Sequence, residues 1–393
     1  MQLVCLDYGM LYADIGMEET RIDRPVLSAD GLTVSATIRM GAREHSLYFR
    51  TRQPVLAPNT EAFLAAALLP SMKCGYPIAV NAGISKRMLE GISTIQDIHH
   101  CWRPSMAKVE IRGASPVEKP AATMPKVGSF FSCGIDSSYT LLKNRDVISD
   151  LVMIHGFSVD IDNSARWRML SEAAERVAGA FGKRVIYVET NLKAYLKEYI
   201  SWRDLGFGAM LATVAHLLSP HLSTIYFPAS DSNDMLEHFS SHPLTDPLWG
   251  TESLEIIHDG CEASRLSKTK AIARNDVLRD NIHVCLRTKD TRFNCGRCQK
   301  CIRTMLSLEM AGAFGSCKAF DTPLTPRLVA ALIIADNETA RHYLREIMLA
   351  MKADGSRRFT GLRLAIGWVL NRPVWLSRLI LATNQIGRKM IGR

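Results

Sequence analysis

Long apolar runs, a Walker-type lysine loop, internal repeats and low-complexity tracts are all missing from this sequence. No run of roughly 18 uncharged apolar residues occurs, so a membrane-spanning helix is not expected. The opening MQLVCLDYGMLYADIG has no basic stretch before an apolar one, and Asp7 and Asp14 interrupt it, so no secretory leader is expected either. With 47% apolar and 22% charged residues over 393 positions, disordered and fibrous classes are excluded and two or three domains are expected. The reading is of a cytoplasmic protein.

Acidic residues are absent from 356–393, which carries eight Lys or Arg. That segment supplies most of the net charge of +9 and leaves about +1 for the preceding 355 residues. A near-neutral body offers no basic face, so nucleic acid is not an expected partner. The basic tail is expected to be helical. Its apolar residues from Phe359 to Leu370, and a second short helix ending near Ala382, are interrupted by Arg363, Arg372 and Arg378. Such helices either dock on the body or lie on an anionic membrane surface or an acidic partner. In the membrane case the protein would be peripheral to the inner face.

The pattern divides the chain in three. Residues 1–120 read as a small α/β domain, with a hairpin over Thr33–Thr51, a helix from Asn59 to Gly75 and a strand at Lys108–Arg112. Residues 113–125, GASPVEKPAATMP, read as a linker. From Val127 to Pro228 short apolar strands alternate with helices, which predicts βαβ units and a mainly parallel, doubly wound sheet across 121–320. Residues 321–393 read as the helical tail, with Asn337 capping a helix that Gly355 ends.

The strongest local signal is KVGSFFSCGIDSSYTLLK, residues 126–143. An apolar strand runs into Ser132-Cys133-Gly134-Ile135-Asp136-Ser137-Ser138 and a helix leaves at once. Backbone N–H groups, the helix N-terminus and the Ser132 and Ser137 hydroxyls form an anion cradle, and Gly134 permits close approach. Asp136 either caps the helix or holds Mg²⁺. The loop has neither the GKS/GKT of a Walker motif nor three dinucleotide glycines.

Ten cysteines occur, and Cys285, Cys295, Cys298 and Cys301 lie within 17 residues as C-x9-C-x2-C-x2-C. Four thiolates at this spacing suit tetrahedral, structural Zn²⁺, with an iron–sulfur cluster or redox thiols as alternatives. Gly296 allows the knuckle, and Arg297, Lys300 and Arg303 are expected to offset the thiolate charge. Cys5, Cys74, Cys101, Cys261 and Cys317 have no spacing partner.

The loop resembles the SGGxDS motif of the ATP-pyrophosphatase (PP-loop) superfamily, with Cys133 in the place of its first glycine. The segment from Gly260 to Thr304, with the loop before it, resembles the 7-cyano-7-deazaguanine synthase family, Arg303 standing one position early. The likeness covers about 126–310 and implies an adenine nucleotide alpha-hydrolase-like fold with a zinc-bound lobe. It implies ATP as substrate, cleaved to AMP and pyrophosphate, and carries Ser132, Gly134, Asp136 and Ser137 to nucleotide binding, the four cysteines to zinc, and Lys268 to the helix entering the zinc lobe. The first 120 residues, the tail and the segment PASDSNDMLEHFSSHPLTDPLWGTE fall outside it, so a different substrate is expected.

Positions after strand ends supply the other candidates. His155 and Gly156 either line the adenine and ribose site or merely turn the chain. Asp231 and Asp234 hold Mg²⁺ or substrate, or are ordinary loop residues. His242 and Asp246, in a loop stiffened by Pro243 and Pro247, are candidates for proton transfer or substrate orientation; His258-Asp259 is a weaker one. Cys133 and Cys261 are the candidate sulfur carriers.

The expected activity is a C–N bond-forming ligase. It would adenylate a carboxylate or amide oxygen of a small-molecule or peptide substrate for attack by ammonia. An ATP-dependent sulfurtransferase and a non-catalytic nucleotide-binding scaffold are the alternatives.

Overall fold

The structure is a computed structural model and describes residues 18–120, 126–238, 240–285, 287, 292–334, 338–373 and 375. Calls on Cys5, Asp7, Asp14, Asn337, Arg378 and the helix near Ala382 lie outside these residues.

The chain is α/β. It runs β1 (Thr20–Ile22), β2 (Val26–Leu27), β3 (Thr33–Met40), β4 (Arg43–Thr51), α1 (Thr60–Cys74), β5 (Ile78–Ser85), α2 (Lys86–Trp102) and β6 (Ile111–Val117). Then follow β7 (Val127–Phe130), α3 (Ile135–Lys143), β8 (Asp150–His155), α4 (Ser164–Phe181), β9 (Arg184–Thr190), α5 (Leu192–Lys197), α6 (Phe207–Leu217), β10 (Thr224–Pro228) and β11 (Glu255–Asp259). Helices complete it: α7 (Arg265–Ala273), α8 (Asp276–Asp280), α9 (Gln299–Met310), α10 (Pro326–Ala330), α11 (Glu338–Asp354) and α12 (Thr360–Asn371).

All eleven strands join one mixed sheet, ordered β11-β10-β7-β8-β9-β4-β3-β1-β5-β6, with β2 paired to β3. The block β11-β10-β7-β8-β9 is parallel throughout. Its connections run one way from β7 to β8 and β9, then return to β10 on the other side of β7. This reversal opens a crevice at the carboxyl end of β7. Helices α1 and α6 contribute to the core on one face of the sheet, and α3 and α4 to the core on the other.

The first 120 residues were expected to stand apart as a small domain, yet they share this sheet. Strand β4 pairs antiparallel with β9, Phe49 opposite Thr190, and one apolar core contains Phe49 and Phe63 together with Val188 and Phe227. Helix α2 packs so closely that a Cβ on Gly91 would stand 2.0 Å from the Leu248 carbonyl oxygen. The expected linker is partly strand, since β6 runs to Val117 with residues 114–117 in register with 82–85 of β5.

Local signals explain the element ends. The Asn59 side chain accepts from the Glu61 N–H to start α1, and Gly75, at φ 75°, stops it. Gly355, at φ 72°, follows the end of α11.

The described part of the tail docks on the body. Leu362, Ala365, Ile366 and Val369 of α12 join a third core with Ile302 and Leu306 of α9. The Arg372 guanidinium donates to the Leu332 and Ala330 carbonyls at 3.0 and 2.5 Å. Leu364, Trp368 and Trp375 stay exposed. Among the described residues no helix is long and apolar enough to cross a membrane.

Candidate functional site

A cavity of about 250 Å³ opens at the carboxyl edge of the parallel block, bounded by the ends of β7, β8 and β10 and the first turn of α3. The loop residues Ser132, Gly134, Asp136 and Ser137 form one wall. Phe131, Val152, Phe157, Trp167 and Phe207 make an apolar wall, and Arg265 and Lys300 enter from the helices beyond β11.

The loop is braced from within. The Ser137 hydroxyl accepts the Ser132 N–H and donates to the Gly134 carbonyl, both at 3.2 Å. No side chain caps α3, so its first-turn amides stay available to a ligand. Ile135 and Ser138 are buried and fix the turn from below.

Cys133 is the one non-glycine residue with positive φ among the described residues, at 58°. Cys133 stands where the resembled motif has its first glycine, a residue that adopts this conformation freely. The loop does require that conformation, at a cost of roughly 1–2 kcal/mol. The side chain turns into the core, where burial pushes its thiol up to about 12. A sulfur-carrying role for Cys133 is inconsistent with that environment.

Asp136 projects from the first turn of α3. Its Oδ2 accepts from Arg265 at 2.8 Å, and its Oδ1 lies 3.7 Å from the Lys268 Nζ, buried and without a hydrogen-bond partner. Lys268 is fully buried and donates to the Ala229 carbonyl at 2.8 Å. Asp231 accepts the Tyr343 hydroxyl of α11 at 3.1 Å, and burial raises its carboxyl.

Two cations were not foreseen in these roles. Lys300 lines the cavity and ion-pairs with no carboxylate among the described residues; burial, then Arg265 and Arg303, pull it down to about 8. The Arg303 guanidinium stacks 4.3 Å above the Tyr343 ring. Arg265, Lys268, Lys300 and Arg303 face Asp136, Asp231 and Glu346, and the surplus is positive.

The cysteine cluster adjoins this site. The Sγ atoms of Cys285, Cys295, Cys298 and Cys301 all lie within 4.8 Å of one another, a group that can hold a metal ion. The backbone amides of Arg287, Arg297 and Cys298 donate to the sulfurs at 3.3–3.4 Å, where the basic side chains had been expected to act. Cys285 also lines the cavity, and Cys298 starts α9, which carries Lys300. Two residues before Cys285, His283 donates its N–H to the Cys133 carbonyl at 2.8 Å, tying cluster to loop. Its ring accepts from Arg166 at 2.7 Å; burial first and Arg166 second hold it neutral, at about 3.

Other predicted residues lie off the cavity wall. His155 stacks on Trp167 with centroids 4.5 Å apart and contacts Glu189 at 3.3 Å. Gly156 is required by packing, because a Cβ there would stand 2.1 Å from the Thr190 carbonyl oxygen. Asp234 sits in a surface turn, where the Ser232 hydrogen bond lowers its carboxyl.

The side chains of His242 and Asp246 take different partners. The His242 ring packs edge-on against Trp102 at 4.9 Å, and its Nδ1 accepts the Leu244 N–H at 3.1 Å. Asp246 is fully buried and pairs with His258 at 2.7 Å. The partners lie 12 residues apart, in the turn before β11 and in β11 itself, so spacing alone gave no signal.

No family model matches the chain, and no curated protein or solved structure matches it.

Proposed function

We propose that the protein is a PP-loop-type, adenylate-forming enzyme that converts ATP to AMP and pyrophosphate and joins the activated carbon to nitrogen. The observation that carries this reading is the cavity itself. An uncapped helix N-terminus and a serine loop lie on one side and an apolar aromatic wall on the other, and Arg265 and Lys300 also line it, Lys300 with no carboxylate partner among the described residues. A purine fits the apolar wall, and polyphosphate fits the loop and the cations.

In this reading the loop amides and the Ser132 and Ser137 hydroxyls orient the pyrophosphate and stabilise the charge that grows on it as it leaves. Arg265 and Lys300 neutralise phosphate oxygens. The orphaned Asp136 Oδ1 suits a hard cation, and bound Mg²⁺ would screen the phosphates. The substrate oxygen attacks the α-phosphorus, and ammonia then displaces AMP; the resemblance to 7-cyano-7-deazaguanine synthase supports a carboxylate or amide as that substrate.

Zinc fits the four thiols, whose convergence and backbone N–H donors suit a closed tetrahedral site. Its chemistry there is structural. Cys285, Cys295, Cys298 and Cys301 fasten α9, and with it Lys300, against the loop. The buried Cys133 makes the sulfurtransferase reading less favourable.

The test is product analysis of purified protein incubated with ATP, Mg²⁺ and a panel of carboxylic acids with ammonia. AMP and pyrophosphate are expected; ADP as the sole product contradicts the reading.

A further inference from the structure

Helix α12 has two apolar faces, and the body covers one of them. Leu362, Ala365, Ile366 and Val369 recur at helical spacing and are buried in the third core. Leu364 and Trp368, four residues apart on the other side, are 71% and 59% exposed, and Trp375 beyond the helix is 66% exposed. The other tryptophans, Trp102, Trp167, Trp202 and Trp249, are buried or half-buried. Among the described residues nothing stands over this outer face: a Cβ added to Gly367, beside Trp368, would meet no atom within 4 Å.

The helix is held firmly while it presents these side chains. Arg341 donates to the Leu370 carbonyl at 2.7 Å, and Arg372 fixes the end of the helix through the Leu332 and Ala330 carbonyls. The same Arg372 guanidinium lies 5.7 Å from the centre of the Trp368 ring. Charge around the face has one sign. Asp354, at the end of α11, is the last acidic residue of the chain. The eight Lys or Arg that follow it include the exposed Arg357 and Arg358 before α12 and the half-buried Arg363 on its flank.

We propose that α12 and the basic segment around it seat the protein on an anionic bilayer surface, with Leu364, Trp368 and Trp375 entering at headgroup level and the basic side chains on lipid phosphates. Indole suits that depth, because its body is apolar and its N–H finds acceptors at the wet boundary. Apolar insertion supplies the depth and basic charge the attraction, the two terms that hold an interfacial helix. A second copy of the chain is a poor occupant, since a symmetric contact would set one basic face against another. An acidic protein would answer the charge, but side chains that project from a single helix fit a fluid apolar layer, which needs no matching groove. Helix α12 shares its core with Ile302 and Leu306 of α9, the helix that carries Lys300. The bilayer would therefore hold the cavity in a set orientation and not on a loose tether.

The test uses full-length, zinc-loaded protein without ATP, so its failure is distinct from failure of AMP formation. The protein is sedimented with phosphatidylcholine vesicles and with vesicles carrying about 30% phosphatidylglycerol, at about 50 and about 500 mM NaCl. Partitioning is expected to be at least about tenfold stronger on the anionic vesicles, and to fall at least about tenfold at the higher salt, where screening acts within a few ångströms. The Leu364→Ser/Trp368→Ser/Trp375→Ser protein, altered only at exposed positions, is expected to keep its melting temperature and to lose at least about tenfold in binding. Absence of binding to anionic vesicles at low salt overturns the proposal. Full binding by the folded triple variant also overturns it, because net charge alone would then account for the attraction. Should that variant not fold, wild-type tryptophan fluorescence with lipid brominated along its acyl chains decides: quenching on anionic vesicles is expected, and its absence overturns insertion. A dimer in sedimentation velocity that the triple variant dissociates would assign the face to a second copy instead.

Discussion

Two polar clusters share the carboxyl edge of the parallel sheet, and they are built on opposite principles. Around the loop, Arg265, Lys268, Lys300 and Arg303 outnumber Asp136, Asp231 and Glu346, and the excess faces an open cavity. Around Asp246 the charges are paired and shielded: Asp246 is fully buried and His258 nearly so. A surplus charge with access is an invitation to a counter-charged ligand, while a balanced, sealed pair fixes geometry.

The sharpest way to break this contrast is at the open cluster. Asp136→Ala removes the one carboxylate that faces the cations from the loop. Turnover of ATP to AMP should fall by at least about 100-fold, comparable to losing one preorganised electrostatic group. Circular dichroism should show the fold retained; a variant with unaltered turnover would remove Asp136 from the site.

The next effect tests what holds Lys300 in the open cluster. Cys298→Ser should abolish stoichiometric metal binding, which elemental analysis reads as one zinc per chain in the wild type and none in the variant. Loss of a structural metal should also lower the melting temperature of the lobe. Iron in the wild type would point instead to a cluster.

The sealed pair should answer to stability before anything else. Asp246→Asn leaves a buried imidazolium without its counter-charge and should cost about 3 kcal/mol in denaturant unfolding. The pH dependence has a defined sign. His258, lifted to about 9 from an ordinary 6.5, adds stability that is complete below pH 6.5 and lost as pH rises through 9. The amount is roughly 3 kcal/mol. His99 and His216, which burial holds at about 4, work in the other direction and cost stability as pH falls from 6.5 toward 4. Thermal melts of wild type and His258→Gln between pH 4 and 10 separate the two trends.

The smallest effect is at the strained loop. Cys133→Gly relieves the left-handed backbone but removes a buried side chain, terms of roughly 1 kcal/mol each, so stability should change by less than about 1 kcal/mol. Cys133→Val, stiff at its branched Cβ, should be clearly worse in the same melt.

Much of this was legible in the sequence where local chemistry decides it. Asn59 and Gly75 bound α1, alternation marks β3 and β4, and the run from Val127 to Asp136 announces a strand feeding a helix. The cysteine spacing foretold a cluster because a knuckle closes over few residues. What was not legible depends on distance in the chain. Asp246 meets His258 only because the 3₁₀ turn Asp246–Trp249 and strand β11 are folded side by side, and Arg265 reaches Asp136 across more than a hundred residues. Gly156 carried a misleading signal, since a glycine needed to clear Thr190 reads the same as one needed to admit a ligand. The apparent boundary near residue 113 reflects Pro and Gly in β6, a strand at the rim of the sheet where missing donors are tolerated.

The pairing of β4 with β9 has a consequence for solubility. Without β4, the apolar strand RVIYVET of β9 would end the parallel block with a row of unshared amide and carbonyl groups, the template on which chains pair edge to edge and aggregate. Residues 20–51 close that edge and carry the sheet onward to β6, which presents Pro116 and a largely exposed face to water. The N-terminal strands thus act as a guard for the block that bears the cavity.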